Sequence, residues 1–153
     1  MELCSAATLA IVVPPPQVSK KVAGTSTQIL VLMVEDDVDA AALIEILLTE
    51  DGDQSFRVEW TRNLVEAQCR LARPGVDVVL LDLGLPELTG YKCYRAIEAA
   101  AKELPVVIFT GDDRDVSRQL TLKFGAANYL IKGQSSPAEL RQALHDAALG
   151  LAA

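Results

Sequence analysis

The strongest constraint on the fold is a short apolar run at residues 78–81 that ends in an acidic residue, Asp82. Such a run, bounded by turn-forming residues, is too short for a membrane span and is typical of a buried parallel strand. Gly84, Pro86 and Gly90 follow it. Residues of these types tolerate or fix the backbone angles with which a chain turns away from a sheet. The pattern predicts a strand with the Asp82 carboxylate at its carboxyl end.

Further apolar segments alternate with helical patterns along the chain. We predict strands at residues 29–34, 56–60, 106–109 and 128–131 besides the central one. The last helix has the clearest local signature, since Ser136, Pro137 and Glu139 form a capping box with proline at the first helical position. Strands that alternate with helices in this way, three of them almost wholly apolar, predict an α/β fold. Its parallel sheet is doubly wound and covered by helices on both faces.

Composition sets the domain boundaries and the classes of partner. Prolines followed by Ser, Lys, Gly and Thr predict a flexible N-terminal tail at residues 1–27, one folded domain at residues 28–150 and a short C-terminal end at 151–153. The N-terminal segment lacks a basic region and leads into three prolines, so we expect no signal peptide, no membrane span and a cytoplasmic protein. The formal net charge of −7 disfavours direct binding to nucleic acid or anionic lipid.

Polar side chains follow four of the predicted strands. Ligands of a doubly wound sheet bind outside the carboxyl ends of its strands. The first, third, fourth and fifth strands end in Glu35 with Asp36, in Asp82, in Thr110 and in Lys132. Three gathered carboxylates repel each other, so one is protonated or a divalent cation lies among them, and all-oxygen ligation favours Mg²⁺ or Mn²⁺. Lys132 and Thr110 could hold the oxygens of a phosphoryl group transferred to Asp82.

Each of these residues also has a simpler interpretation. The acidic residues after the first strand could be a solvated helix start, with Asp37 or Asp39 as its cap, and Leu43, Ile44, Leu47 and Leu48 as one face of that helix. Thr110 could be a helix cap, Lys132 a solvated charge, and Tyr129 a core residue with its hydroxyl at the surface. The joint placement at four strand ends favours the phosphoryl-transfer interpretation.

From about Ile29 to Gly150 the sequence resembles the receiver domain of bacterial two-component response regulators, of the chemotaxis-regulator-like superfamily. The resemblance rests on Val34-Glu35-Asp36-Asp37, Leu81-Asp82-Leu83-Gly84-Leu85-Pro86 with Gly90, Phe109-Thr110-Gly111 and Tyr129-Leu130-Ile131-Lys132. It implies a five-stranded parallel sheet of order 2-1-3-4-5. It also implies a regulatory protein of two-component signalling rather than an enzyme, apart from its own phosphorylation and dephosphorylation. We expect a single-domain response regulator, and a fragment of a longer protein stays open as the alternative.

The resemblance implies roles for individual residues. A histidine kinase or phosphotransfer protein would donate a phosphoryl group to Asp82, with Thr110 and Lys132 holding the added oxygens. Tyr129 would then turn inward and alter the surface of the fourth helix, fifth strand and fifth helix for a downstream protein target. The ligands implied for Mg²⁺ are Glu35, Asp36, Asp82 and the backbone carbonyl of Gly84. Whether the last two helices form a homodimer stays open.

Two positions depart from the common pattern of that family. Gly133 stands where many relatives have proline, and Gly84 where many carry a polar or larger side chain. From Gly133 we expect a more mobile loop before the last helix. Because Gly84 leaves the approach to Asp82 more open, we expect an altered rate of dephosphorylation. Two other functions stay open: a receiver-like binding module that never takes phosphate, and a Mg²⁺-dependent phosphatase that passes through an aspartyl phosphate. Such a phosphatase would want a second acid two residues after its nucleophile, where Gly84 stands.

Overall fold

The computed structural model describes residues 28–50 and 55–150, in which strands and helices alternate. The strands are β1 (Ile29–Val34), β2 (Phe56–Thr61), β3 (Val78–Leu81), β4 (Val106–Thr110) and β5 (Asn128–Ile131). The helices are α1 (Val38–Thr49), α2 (Leu64–Leu71), α3 (Tyr91–Ala101), α4 (Asp115–Lys123) and α5 (Pro137–Ala148). The predicted tail at residues 1–27 and the end at residues 151–153 lie outside the described residues. No helix in the described ranges is long and apolar enough to cross a membrane.

All five strands form one parallel sheet in the order β2-β1-β3-β4-β5, which confirms the predicted fold class and strand order. The register aligns the strand ends. Val34 pairs with Leu81 between β1 and β3, and Thr110 pairs with Ile131 between β4 and β5. Because parallel strands run in one direction, the residues that follow β1, β3 and β5 emerge at the same edge of the sheet, beside the end of β4.

Both faces of the sheet are buried, as the nearly continuous apolar runs predict. Alternate strand residues point to opposite sides. One side packs residues such as Leu32 and Leu81 against α2 and α3. The other packs Val31 and Leu80 against α1 and α5. Every residue of β3 and β4 is buried, and burial of each Leu or Ile side chain contributes about 1.5–3 kcal/mol to folding.

The predicted face of α1 is only partly right. Ile44 and Leu48 are buried, but Leu43 is 56% exposed and Leu47 is half-buried. The core-facing stripe is Ala41, Ile44 and Leu48, with helical spacings of three and four residues. Leu43 and Leu47 each precede a stripe residue and are rotated from it by one helical step, because 3.6 residues make a turn. Tertiary packing selects between two apolar stripes that the sequence offers equally.

Capping signals predicted from the sequence are confirmed at the N-termini of α1 and α5. The Asp37 carboxylate accepts hydrogen bonds from the backbone N–H groups of Asp39 at 2.9 Å and Ala40 at 3.1 Å, so Asp37 is the cap of α1. In the α5 capping box, the Ser136 hydroxyl accepts from the Glu139 N–H at 3.1 Å, and the Glu139 carboxylate accepts from the Ser136 N–H at 2.8 Å. Such caps satisfy backbone donors that have no partner within the helix.

Candidate functional site

Four strands deliver polar side chains to one cleft at the carboxyl edge of the sheet. Glu35 follows β1, Asp82 follows β3, Thr110 ends β4 and Lys132 follows β5, and the hydrogen bonds among them show that the structure brings them together as predicted. The cleft beside Asp82 is lined by Asp82, Leu83, Gly84, Thr89, Gly90, Thr110, Gly111, Asp112, Arg114 and Lys132.

The carboxylate of Asp82 is held by three donors. Its Oδ1 accepts from the Thr110 hydroxyl at 2.8 Å and from the Gly84 backbone N–H at 3.0 Å, while its Oδ2 accepts from Lys132 Nζ at 3.1 Å. Burial alone raises the pKa of Asp82. The Gly84 N–H, the Lys132 charge and the Thr110 hydroxyl outweigh that effect and hold the pKa below its usual value. Asp82 is therefore an ionised, oriented carboxylate at neutral pH.

Lys132 links Asp82 to a second carboxylate. Its ammonium also donates to Glu35, which is 2% exposed and whose other oxygen accepts from the Asp37 N–H at 3.2 Å. Burial, together with the negative charge of Asp82, raises the pKa of Glu35 above its usual value, although the Lys132 ammonium and the Asp37 N–H act to lower it. Burial lowers the pKa of Lys132, but the two carboxylates outweigh burial and raise it. Lys132 therefore stays charged. Its hydrogen bonds to both carboxylates rule out the interpretation of Lys132 as a merely solvated side chain.

Three acidic side chains are arranged as a potential metal site. Glu35, Asp36 and Asp82 each offer an oxygen, and these oxygens lie within 4.8 Å of one another. Glu35 is buried, Asp36 is exposed and Asp82 lies between these extremes. A hard cation such as Mg²⁺ prefers oxygen ligands and keeps several waters, which suits a set with one exposed member. The backbone N–H of Gly84 donates to Asp82. That the backbone carbonyl of Gly84 is a ligand of Mg²⁺ stays a prediction.

The predicted switch residue Tyr129 lies inward. Its side chain is 1% exposed, and its hydroxyl donates to the backbone carbonyl of Asp112 at 2.6 Å. The guanidinium of Arg118 lies 5.8 Å from the ring centroid. Burial, and then the charge of Asp112, raise the pKa of Tyr129 to about 12, so the hydroxyl remains a donor. The inward orientation is the one that the family resemblance implies for the switched surface.

Two residues beside this cleft, Trp60 and Asp112, were not among the site residues predicted from the sequence. The indole N–H of Trp60 donates to the backbone carbonyl of Glu35 at 2.7 Å, and the Asp112 carboxylate binds the Arg114 guanidinium. Asp112 did carry a signal, because it belongs to the polar cluster after β4 and precedes an arginine by two residues. Trp60 carried none, since its contact depends on the pairing of β1 with β2.

Comparison with known protein families identifies one match over most of the chain. The family described as Response regulator receiver domain matches residues 31–145. The chain is 34% identical over 107 residues to the swarming motility regulation protein RssB of Serratia marcescens, which is 70% of this chain and 48% of that protein. It is 32% identical over 102 residues to the transcriptional regulatory protein CreB of Escherichia coli, which is 67% of this chain and 43% of that protein. The chain thus spans less than half the length of these curated relatives.

Solved structures give a consistent result. The receiver domain of a sensor histidine kinase from Pseudomonas aeruginosa, solved with a magnesium ion coordinated in its active site cleft, matches with a TM-score of 0.66 and 28% identity. The match covers 80% of this chain and 98% of that one. A response regulator receiver domain protein from Clostridium thermocellum matches with a TM-score of 0.69 and 26% identity, over 79% of this chain and 94% of that one.

Proposed function

This chain belongs to the response regulator receiver domain family, and from that premise we propose that it is a phosphorylation-dependent switch of two-component signalling with Asp82 as its phosphoacceptor. The observation that carries the proposal is the environment of Asp82. The carboxylate is ionised, lines an open cleft, and is held by Thr110, Gly84 and Lys132 from three different segments. A carboxylate oriented in this way can act as a nucleophile.

The donor is a phosphohistidine on a histidine kinase or a phosphotransfer protein. An oxygen of Asp82 attacks the phosphorus, a P–O bond forms, and the P–N bond to the imidazole breaks. The leaving imidazole takes up a proton, and Asp82 becomes an acyl phosphate. Thr110 and Lys132 each already donate to one oxygen of Asp82, so they are placed to donate to the oxygens of the incoming phosphoryl group.

The acidic trio fits a divalent cation. Glu35, Asp36 and Asp82 would hold Mg²⁺, or Mn²⁺ in its place, together with the backbone carbonyl of Gly84. Such an ion neutralises negative charge on the transferred phosphoryl group. The magnesium ion in the receiver domain from Pseudomonas aeruginosa supports this assignment, as does the 4.8 Å grouping of oxygens in this chain.

The output of the switch is protein contact. The surface of α4, β5 and α5 carries Tyr129 and is read by a downstream protein target, with no direct contact to nucleic acid, which the net charge of −7 disfavours. The protein acts in the cytoplasm, and its only chemistry is its own phosphorylation and dephosphorylation. A phosphatase of the aspartyl-phosphate type would want an acid two residues after Asp82, and Gly84 occupies that position.

The test is intact mass after incubation with acetyl phosphate and Mg²⁺. Wild type is expected to gain one phosphoryl group that is lost in alkali, and Asp82→Asn is expected to gain none. The matched control is Asp113→Asn, at an exposed acidic position outside the cleft, which should be phosphorylated like wild type.

Two other outcomes have clear meanings. Equal phosphorylation of wild type and Asp82→Asn would contradict Asp82 as the acceptor. If no variant is modified by acetyl phosphate or by phosphoramidate, a second small-molecule donor, the receiver-like module that binds its partner without phosphorylation becomes the better description.

A further inference from the structure

The loop between β4 and α4 is organised around one residue, Asp112. Its backbone N–H donates to the Thr110 hydroxyl oxygen at 3.3 Å, and that hydroxyl in turn donates to Asp82. Its backbone carbonyl accepts from the Tyr129 hydroxyl at 2.6 Å. Through its two backbone groups, Asp112 therefore connects the phosphoacceptor site to the switch aromatic.

The side chain of Asp112 ties the same loop to α4. Its Oδ1 accepts from Arg114 Nε at 2.9 Å and from the Arg114 backbone N–H at 3.1 Å. Its Oδ2 accepts from Arg114 Nη2 at 2.8 Å and from the Ser117 hydroxyl at 2.8 Å. A guanidinium that binds both oxygens of a carboxylate restricts its orientation as well as its distance. Ser117 is 6% exposed within α4, so the carboxylate is anchored to a buried part of the helix.

Two contacts among the described residues hold Tyr129 inward. The Asp112 carbonyl accepts its hydroxyl, and Arg118 of α4 lies over its ring. The position of that carbonyl depends on the loop, and the loop is held by Arg114 and Ser117. Tyr129 is therefore held inward in the same structure in which Thr110 donates to the unmodified carboxylate of Asp82.

We propose that the carboxylate of Asp112 is a positioning group that sets the resting state of the switch, by clamping the β4–α4 loop so that Tyr129 is held inward while Asp82 is an unmodified carboxylate. The relevance of this clamp to signalling rests on the proposed function, but the position of Tyr129 does not. In this protein, Tyr129 is already inward before phosphorylation. The ion pair of Asp112 with Arg114 sets how strongly the unmodified protein favours that inward position.

The experiment is ¹⁹F NMR of the full chain labelled with 3-fluorotyrosine, with the Tyr129 resonance assigned from Tyr129→Phe. The variant is Asp112→Asn, which keeps the size of the side chain and removes its charge. Glu103→Gln removes a charge at an exposed position between α3 and β4, outside the loop and α4, and serves as the matched control. We expect a shifted or second Tyr129 resonance in Asp112→Asn, and a wild-type spectrum for Glu103→Gln.

Two measurements keep the test decisive. Arg114→Gln removes the guanidinium from a side chain that is 69% exposed, so it tests the clamp even if Asp112→Asn does not fold. Addition of beryllofluoride with Mg²⁺, a mimic of the phosphoryl group, should move the Tyr129 resonance less in wild type than in either variant. An unchanged Tyr129 resonance in both unmodified variants would overturn the proposal. That comparison uses no phosphorylation, so it is independent of whether Asp82 is the acceptor.

Discussion

Replacement of Lys132 by methionine should lower the free energy of unfolding, because the carboxylates of Glu35 and Asp82 would lose the positive charge between them. Lys132 lies 3.1 Å from Asp82 and also contacts Glu35, and its side chain is 26% exposed. Two unit charges at that separation attract by about 5 kcal/mol at an effective dielectric constant of ~20, before desolvation is subtracted. Removal of one partner of a buried pair commonly costs ~3–5 kcal/mol. For a lysine that is partly solvated we expect a loss of about 3 kcal/mol in the free energy of unfolding.

The loss should depend on pH in a defined direction. Burial raises the pKa of Glu35, and the Lys132 ammonium opposes that rise. Without Lys132, the pKa of Glu35 in the folded state should therefore rise further above its value in the unfolded chain. A carboxyl group whose pKa is raised on folding stabilises the folded state only while it is protonated. The deficit of Lys132→Met should therefore grow as the pH rises from 5 to 8. Mg²⁺ should restore more stability to the variant than to wild type, because it supplies the missing positive charge.

The assay is urea denaturation at several pH values, with and without Mg²⁺. The control is Lys92→Met, which removes an exposed lysine from α3 and should change the free energy of unfolding by less than about 0.5 kcal/mol. A Lys132→Met protein as stable as Lys92→Met without metal would refute the reasoning, as would a deficit that shrinks when the pH is raised.

Three further predictions follow from local geometry. A Cβ at Gly84 would lie 3.5 Å from Oδ1 of Asp82, an ordinary contact, so Gly84→Asn should fold normally but narrow the approach to the acyl phosphate. The variant should release phosphate from the acyl phosphate severalfold more slowly than wild type. Equal rates of phosphate release from the two proteins would contradict this prediction. Ser136→Ala removes one half of the capping box and should lower the free energy of unfolding by about 1 kcal/mol in urea denaturation. Burial raises the pKa of the Cys93 thiol to about 12, so stability should fall as the pH rises above about 8.5, where the unfolded thiol ionises. That alkaline loss should be smaller in Cys93→Ala.

Much of the fold and of the candidate site could be predicted from local sequence patterns. Strand positions, the capping box and the convergence of Asp82, Thr110 and Lys132 could be predicted, because they depend on apolar runs, on residues within one helical turn, and on the shared direction of parallel strands. The order of the strands came from resemblance to a known family rather than from the pattern of residues. The structure then confirmed that order.

Contacts between distant segments needed the tertiary structure. The sequence by itself determined that an acidic strand end, a threonine and a lysine would meet, but not that Lys132 would bridge Glu35 and Asp82. It did not determine which stripe of α1 would face the core, or that Tyr129 would donate to the carbonyl of Asp112. These choices depend on how neighbouring elements pack and on where a loop places one backbone oxygen. Both are decided by the whole fold, because the competing local arrangements differ little in energy until the elements are brought together.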